Sequence, residues 1–324
     1  MTRRIDISYK TIIFVTIFLI LLWIVFKILD ILLLFFVSFI FMSALAPLVE
    51  KLVKWKVPRV VAILLLLLLL VLGLVGALTV GFTPLINQTS HLTQRLTEMT
   101  SMLAQAHIVD PGVLQQELSK LPGQAVDITV SIFKNLIGFV SVLVITVYLL
   151  LDRGHIEDYA TSFFGSRQGK AKKVMRMIED KLGSWLRGQL FLSLAVGTLT
   201  YAGLIILGVD FALPLAIIAA FLEVVPVLGP IIAAIPAVLI ALTVSPLLAA
   251  LVAGLYLVVQ EVEGHVLVPQ VMKRAVGLNP ILVILAISVG GRLLGLGGAL
   301  LAVPIAVVVQ LILQESLKID EEPV

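Results

Sequence analysis

The chain has 324 residues, 60% of them hydrophobic and 13% charged, with a mean hydropathy of +1.15 and a net charge of +3. Soluble domains carry about a quarter charged residues, so this composition excludes an ordinary soluble fold and indicates an all-α, polytopic membrane protein. The basic residues flank apolar runs instead of forming a stripe interleaved with aromatics, which excludes nucleic acid as a partner; the absence of cysteine excludes disulfides, thiolate zinc sites and thiol catalysis.

The first apolar run follows Met1-Thr2-Arg3-Arg4 and has no small-residue cleavage site at its end, so it reads as a retained span, not a signal peptide. Straight spans are predicted at residues 11–26, 28–48, 60–82, 132–151, 190–207 and 247–260, each apolar enough for lipid. Lys27 and Asp30 are expected to make a tight turn between the first two, and Lys51, Lys54, Lys56 and Arg59 separate the second from the third. Residues 83–131 are polar and predicted to be extracytoplasmic. Leu85, Leu92, Leu96, Met99 and Leu103 approximate an a/d seam there, suited to pairing between subunits or to packing on the same chain. Residues 152–187 read as cytoplasmic. Val174, Met177, Ile178, Leu182, Trp185 and Leu186 share a helical face beside Lys172, Lys173, Arg176 and Lys181, a pattern expected to lie along an anionic leaflet.

Two further stretches, 209–242 and 276–313, are apolar but interrupted. The first runs from Pro214 to Glu223-Val-Val-Pro226-Val-Leu-Gly229-Pro230 and on through Pro236. The second runs from Pro280 to Gly290-Gly291-Arg292-Leu-Leu-Gly295-Leu-Gly297-Gly298 and on through Pro304. Both read as broken, re-entrant-type helical hairpins, and a pair of interrupted spans at corresponding places points to a transporter's binding site. With the first residues placed in the cytoplasm and each hairpin entering and leaving on one side, 18 of the 23 lysines and arginines fall inside and four outside. The positive-inside rule favours that orientation, with both termini cytoplasmic. One straight span separates the hairpins, so they enter from opposite faces and form an inverted repeat. The resulting organisation is an N-terminal three-span region (1–82), an external helical insert (83–131), a fourth span with its cytoplasmic helix (132–187), a transport core (188–315) and a cytoplasmic tail (316–324).

Glu223 is the leading site residue, because a carboxylate inside an apolar segment is costly enough to be functional by default. Pro226 lacks an N–H and Gly229-Pro230 breaks the helix, so main-chain groups near Glu223 are left free to line a cavity. A carboxyl there can exchange a proton for a cation or a solute. Arg292 holds the corresponding place in the second hairpin, where a Glu223–Arg292 pair is conceivable, and Gly291 and Gly295 allow close backbone approach. Gln260 and Glu263 end the span between the hairpins, and Glu263 with His265 suggests a proton relay; a solvated helix end is the competing reading. Gln189 is a further polar liner. No G-x-x-x-x-G-K-[ST], H-E-x-x-H or G-x-S-x-G occurs and the four histidines are scattered, so neither an enzyme nor a bound cofactor or metal is expected.

Glu223-x-x-Pro226-x-x-Gly229-Pro230, Glu263-Gly264-x-x-x-x-Pro269, Gly277-Leu278-x-Pro280, Gly290-Gly291-x-x-x-Gly295-x-x-Gly298 and Arg187-Gly188-Gln189 together resemble the AI-2E family of bacterial membrane transporters. His265 stands where that pattern has asparagine, and Arg292 falls at one of its variable positions. The broken hairpins with Glu223 lead to the expectation of a secondary transporter of the inner membrane for a small polar solute or signal such as autoinducer-2, coupled to an ion gradient. The resemblance itself implies a transporter but not its substrate. It equally admits Na+(Li+)/H+ antiport, and it implies a homo-oligomer in the lipid bilayer. A channel-like or scaffold oligomer is the alternative from another class.

Overall fold

The computed structural model describes residues 9–105, 136–226, 228–275, 277 and 279–319, and every regular element among them is helical. The chain opens with α1 (Tyr9–Lys27) and α2 (Leu29–Lys54). Only Ile28 separates them, and the ladder continues through it, with Ile28 N donating to Ile24 O (3.1 Å) and Leu32 N to Ile28 O (3.0 Å). The tight turn expected from Lys27 and Asp30 is therefore a bend in one hydrogen-bonded rod. No residue of α1 is buried, so its apolar surface faces outward on all sides.

α3 (Arg59–Gln105) runs on past residue 82, where a span end was expected; its 47 residues make a rod about 70 Å long. Its apolar part, Arg59–Gly81, is what suits a bilayer. The side chains of the 85–103 seam fall outside the described residues. α4 (Leu136–Leu151) turns by 84° into α5 (Arg153–Ser162), and a 3-10 turn (Gly165–Arg167) leads to α6.

α6 (Gln168–Ile206) is continuous through residues 187 and 188, so the basic amphipathic stretch and the span after it form one helix about 58 Å long. Leu182, Trp185 and Leu186 of its apolar face are buried against Ile40 and Ala44 of α2 and Ala299 and Ala302 near the C-terminal end. That face packs on protein, not along lipid, because α2 and the last hairpin supply enough apolar surface to cover it.

The first interrupted stretch is α7 (Ala212–Leu222) and α8 (Leu228–Leu242), with the helix broken from Glu223 to Pro226. α9 (Pro246–Val262) is capped by Ser245, whose hydroxyl accepts from Leu248 N (3.1 Å), and passes through a π-helical turn (Glu263–Leu267) into α10 (Val268–Ala275). The π-turn has a local cause. Pro269 has no N–H to donate to the carbonyl of His265, four residues back, and in a regular α-helix its ring would clash with that carbonyl. α11 (Pro280–Ile319) leaves helical geometry at Leu294 and at Gly295 (φ 61°, ψ −144°). The chain folds back there: a Cβ placed on Gly290 would stand 2.4 Å from the Gly298 carbonyl oxygen, an approach that eight residues of straight helix, about 12 Å of rise, cannot make. The second break predicted from the glycines is thus a helical hairpin.

Among the described residues, three apolar cores hold the helices together. One joins α2, α3 and α4; a second joins α2, α6 and α11; a third joins the end of α6 to α7, α8 and α9. Among the described residues, six helical stretches are long and apolar enough to cross a membrane, and most large exposed side chains on them are apolar, as lipid contact requires.

Candidate functional site

The second and third cores meet at the break between α7 and α8. Pro226 and Pro230 remove two main-chain donors, and the turn is closed by short bonds from Val225 N to Leu222 O (3.0 Å), Leu228 N to Pro226 O (2.8 Å) and Gly229 N to Val225 O (2.9 Å). Gly229 is required by space: a Cβ there would lie 2.1 Å from the Leu222 carbonyl oxygen. Each hairpin therefore crosses itself at a glycine, Gly229 over Leu222 in the first and Gly290 over Gly298 in the second.

Glu223 sits at the break with 0% of its surface exposed, and neither carboxylate oxygen receives a hydrogen bond from any described residue. Its main-chain carbonyl accepts from Gln189 Nε2 of α6 at 2.6 Å, which fixes the unwound backbone, while Gln189 Oε1 has no partner among the described residues. Glu263, 7% exposed at the start of the π-turn, faces the Glu223 carboxyl closely enough for direct charge–charge interaction. π-turns are rare and concentrate at functional sites; this one re-aims α9 so that Glu263 points inward.

The residues flanking Gln189 hold the site in place. In α2, Pro47 cannot donate to the Ser43 carbonyl, and the guanidinium of Arg187 donates there instead: Nη1 lies 3.4 Å from Ser43 O and 3.1 Å from Ala44 O. Gly183 comes against the same carbonyl, and Gly188 comes against Val271 and Met272 of α10. Arg187, Gly188 and Gln189 thus fasten α6 to α2, to α10 and to the break.

Other expected site residues lie apart. Arg292 is exposed and makes no ion pair among the described residues, so it does not neutralise Glu223. A Cβ added to Gly291 would meet only the Ala299 Cβ, at an ordinary 3.8 Å, and Gly295 supplies the positive φ of the second turn. The tips are joined by apolar contact, with Val225 in the same core as Ile287, Ala299 and Ala302. Gln260 is half-buried one turn before Glu263. His265 is exposed and bonded to Glu261 (3.1 Å), so a relay through Glu263 and His265 is not formed.

Three further polar groups were missed from the sequence. Ser193 and Thr200 of α6 and Tyr256 of α9 are each under 10% exposed, and their hydroxyl oxygens have no partner among the described residues. Ser193 and Thr200 lie four and eleven residues after Gln189, on the same helical face. Leu255, the neighbour of Tyr256 in α9, lies over Gly203 of α6. The signal available was that spacing on α6, hidden because single hydroxyls in an apolar run barely lower its hydropathy.

The chain matches the AI-2E family transporter profile across residues 12–318. It is 29% identical over 292 residues to the AI-2 transport protein TqsA of Escherichia coli (strain K12), covering 84% of this chain and 82% of TqsA. It is 30% identical over 234 residues to YueF of Bacillus subtilis (strain 168), provisionally named a transport protein, covering 71% of this chain and 60% of YueF. YrrI of the same organism, with the same kind of name, is 32% identical over 164 residues, covering 51% of this chain and 46% of YrrI. The chain thus spans only about half to three-fifths of those two Bacillus relatives. This chain belongs to the AI-2E transporter family and is a multi-pass membrane protein.

Proposed function

We propose that this protein is a secondary transporter of the bacterial inner membrane that moves a small polar solute or signal, autoinducer-2-like in size and polarity, coupled to an ion gradient through Glu223. The observation that carries the reading is a fully buried carboxyl at a broken hairpin, with no basic partner among the described residues and a second carboxyl facing it. Two like charges cannot be held together in a low-dielectric interior without a proton or cation between them. Loading and unloading that ion is the coupling step, and the solute is held beside the two breaks. Hairpins entering from opposite faces, as an inverted repeat with both termini cytoplasmic, give alternating access. The unpacked surface of α1 and the length of α3 leave room for a homo-oligomer.

In proteoliposomes with imposed sodium, lithium and proton gradients, Glu223→Gln is expected to abolish gradient-driven flux while leaving the melting transition intact. Unchanged flux with unchanged pH dependence overturns the coupling role, and large single-channel currents overturn the carrier reading. The acidic pair also favours a second reading, Na+(Li+)/H+ antiport with no organic cargo. In the same vesicles, sodium- or lithium-driven alkalinisation without uptake of any furanosyl-type solute selects it.

A further inference from the structure

Away from the Glu223 break, a crevice of about 930 Å³ opens between α2, the α5–α6 corner and the end of α11. Its walls are apolar, built from Phe35, Phe36 and Phe39 of α2 with Val308 and Ile312 of α11. Its rim is basic. Arg167, Lys170 and Lys173 border it, against one acid, Glu315. Neighbouring bases are already matched, Lys172 with Asp158 and Arg176 with Glu157. The side chains of Arg167 and Lys173 are exposed and have no ion pair among the described residues.

The surface beside this rim has the makeup of a membrane interface. Tyr159, Phe163 and Phe164 stand 71%, 75% and 59% exposed, with Tyr159 and Phe163 stacked edge to face. Exposed aromatics next to lysine and arginine settle at headgroup depth, with the bases on the cytoplasmic side. A crevice there presents hydrocarbon walls below and an excess of positive charge above.

We infer that this crevice binds one anionic phospholipid, its phosphate at Arg167 and Lys173 and an acyl chain between the α2 phenylalanines and α11. The volume suits the phosphate end and one acyl chain, the second chain lying in the bilayer. Arg167 and Lys173 have no acidic partner among the described residues, so a net-negative headgroup is favoured over a zwitterionic one. Because α2, α6 and α11 all border it, a bound lipid ties the second hairpin to the helix that carries Gln189. The site is independent of which solute is transported.

The test uses the full chain purified in detergent and exchanged into nanodiscs of phosphatidylglycerol or phosphatidylcholine with identical acyl chains. Retained lipid is counted by native mass spectrometry and melting is followed by tryptophan fluorescence. One phosphatidylglycerol per chain is expected to survive release from the disc and raise the melting temperature, while phosphatidylcholine does neither. Arg167→Ala with Lys173→Ala is expected to weaken retention about thirtyfold, the combined effect of two bases near an anionic head. Val308→Trp, which narrows the crevice and keeps every charge, is expected to abolish it. Should the rim double variant fail to fold, Val308→Trp decides the matter. Equal retention of both lipids, displacement by inorganic phosphate alone, retention unaffected in Val308→Trp, or self-association through this face each overturns the inference.

Discussion

Gly290, Gly297 and Gly298 look alike in the sequence and differ sharply in place. A methyl on Gly298 would stand 2.1 Å from the Gly290 carbonyl oxygen, whereas nothing lies within 4 Å of one on Gly297. Backbone cannot yield as a flexible side chain does, so Gly290→Ala and Gly298→Ala are each expected to cost about 3 kcal/mol or more. Gly297→Ala is expected to be neutral or to stabilise by up to about 1 kcal/mol, as alanine for glycine does inside a helix. Thermal unfolding of the three variants in one detergent checks the order. The buried hydroxyls invert the usual relation between burial and stability. Ser193→Ala, Thr200→Val and Tyr256→Phe each remove a buried polar atom that lacks a partner, a group costing about 1–3 kcal/mol. Melting temperatures are expected to hold or rise while the gradient-driven flux used to assay Glu223→Gln falls several-fold. A fall in stability would mean that these hydroxyls are structural.

At the scale of elements, one ion cluster fixes the corner where α4 turns into α5. Arg153 joins Glu50 of α2 at 2.8 Å and the buried Glu179 of α6 at 2.5 Å. Arg153→Ala strands the Glu179 charge and is expected to cost about 3–5 kcal/mol. Glu50, 62% exposed, is expected to contribute less than about 1 kcal/mol. Chemical unfolding of Arg153→Ala, Glu50→Ala and the apolar pair Arg153→Met with Glu179→Leu separates the cases, and the apolar pair is expected to recover most of the loss. The helix-breaking residues that mark elements in the sequence act here across them. Pro47 frees a carbonyl for Arg187, and Pro269 opens the π-turn that aims Glu263 inward. Both prolines are plain in the sequence; what they release their neighbours to do depends on a partner far along the chain.

For the whole molecule, α6 is the reference rod. It is about twice as long as the hydrocarbon core is thick, so its ends belong on opposite sides of the membrane. The chain has no cysteine, which makes single-cysteine labelling clean. Gln168→Cys is expected to react with an impermeant maleimide only after the cytoplasmic face is opened, and Asp210→Cys in intact cells. The reverse pattern would overturn the orientation drawn from the lysine and arginine count.

The membrane class, the approximate spans and both breaks were legible because hydropathy, proline and glycine act locally: a run of apolar residues seeks lipid and a missing N–H interrupts a helix wherever the chain goes. Glu223 was legible for the same reason, since a lone carboxyl in an apolar run is anomalous before any fold is known. Its relation to other residues was not. Opposite charge suggested Arg292 as its partner, yet the fold leaves Arg292 outside and brings up Glu263, a second acid, by way of a π-turn. The amphipathic face of α6 was read as lipid-facing because periodicity reports that a face is apolar and not what covers it. Which side chains meet at the break is decided by how α6, the two hairpins and α9 pack together, over sequence separations that no local pattern spans.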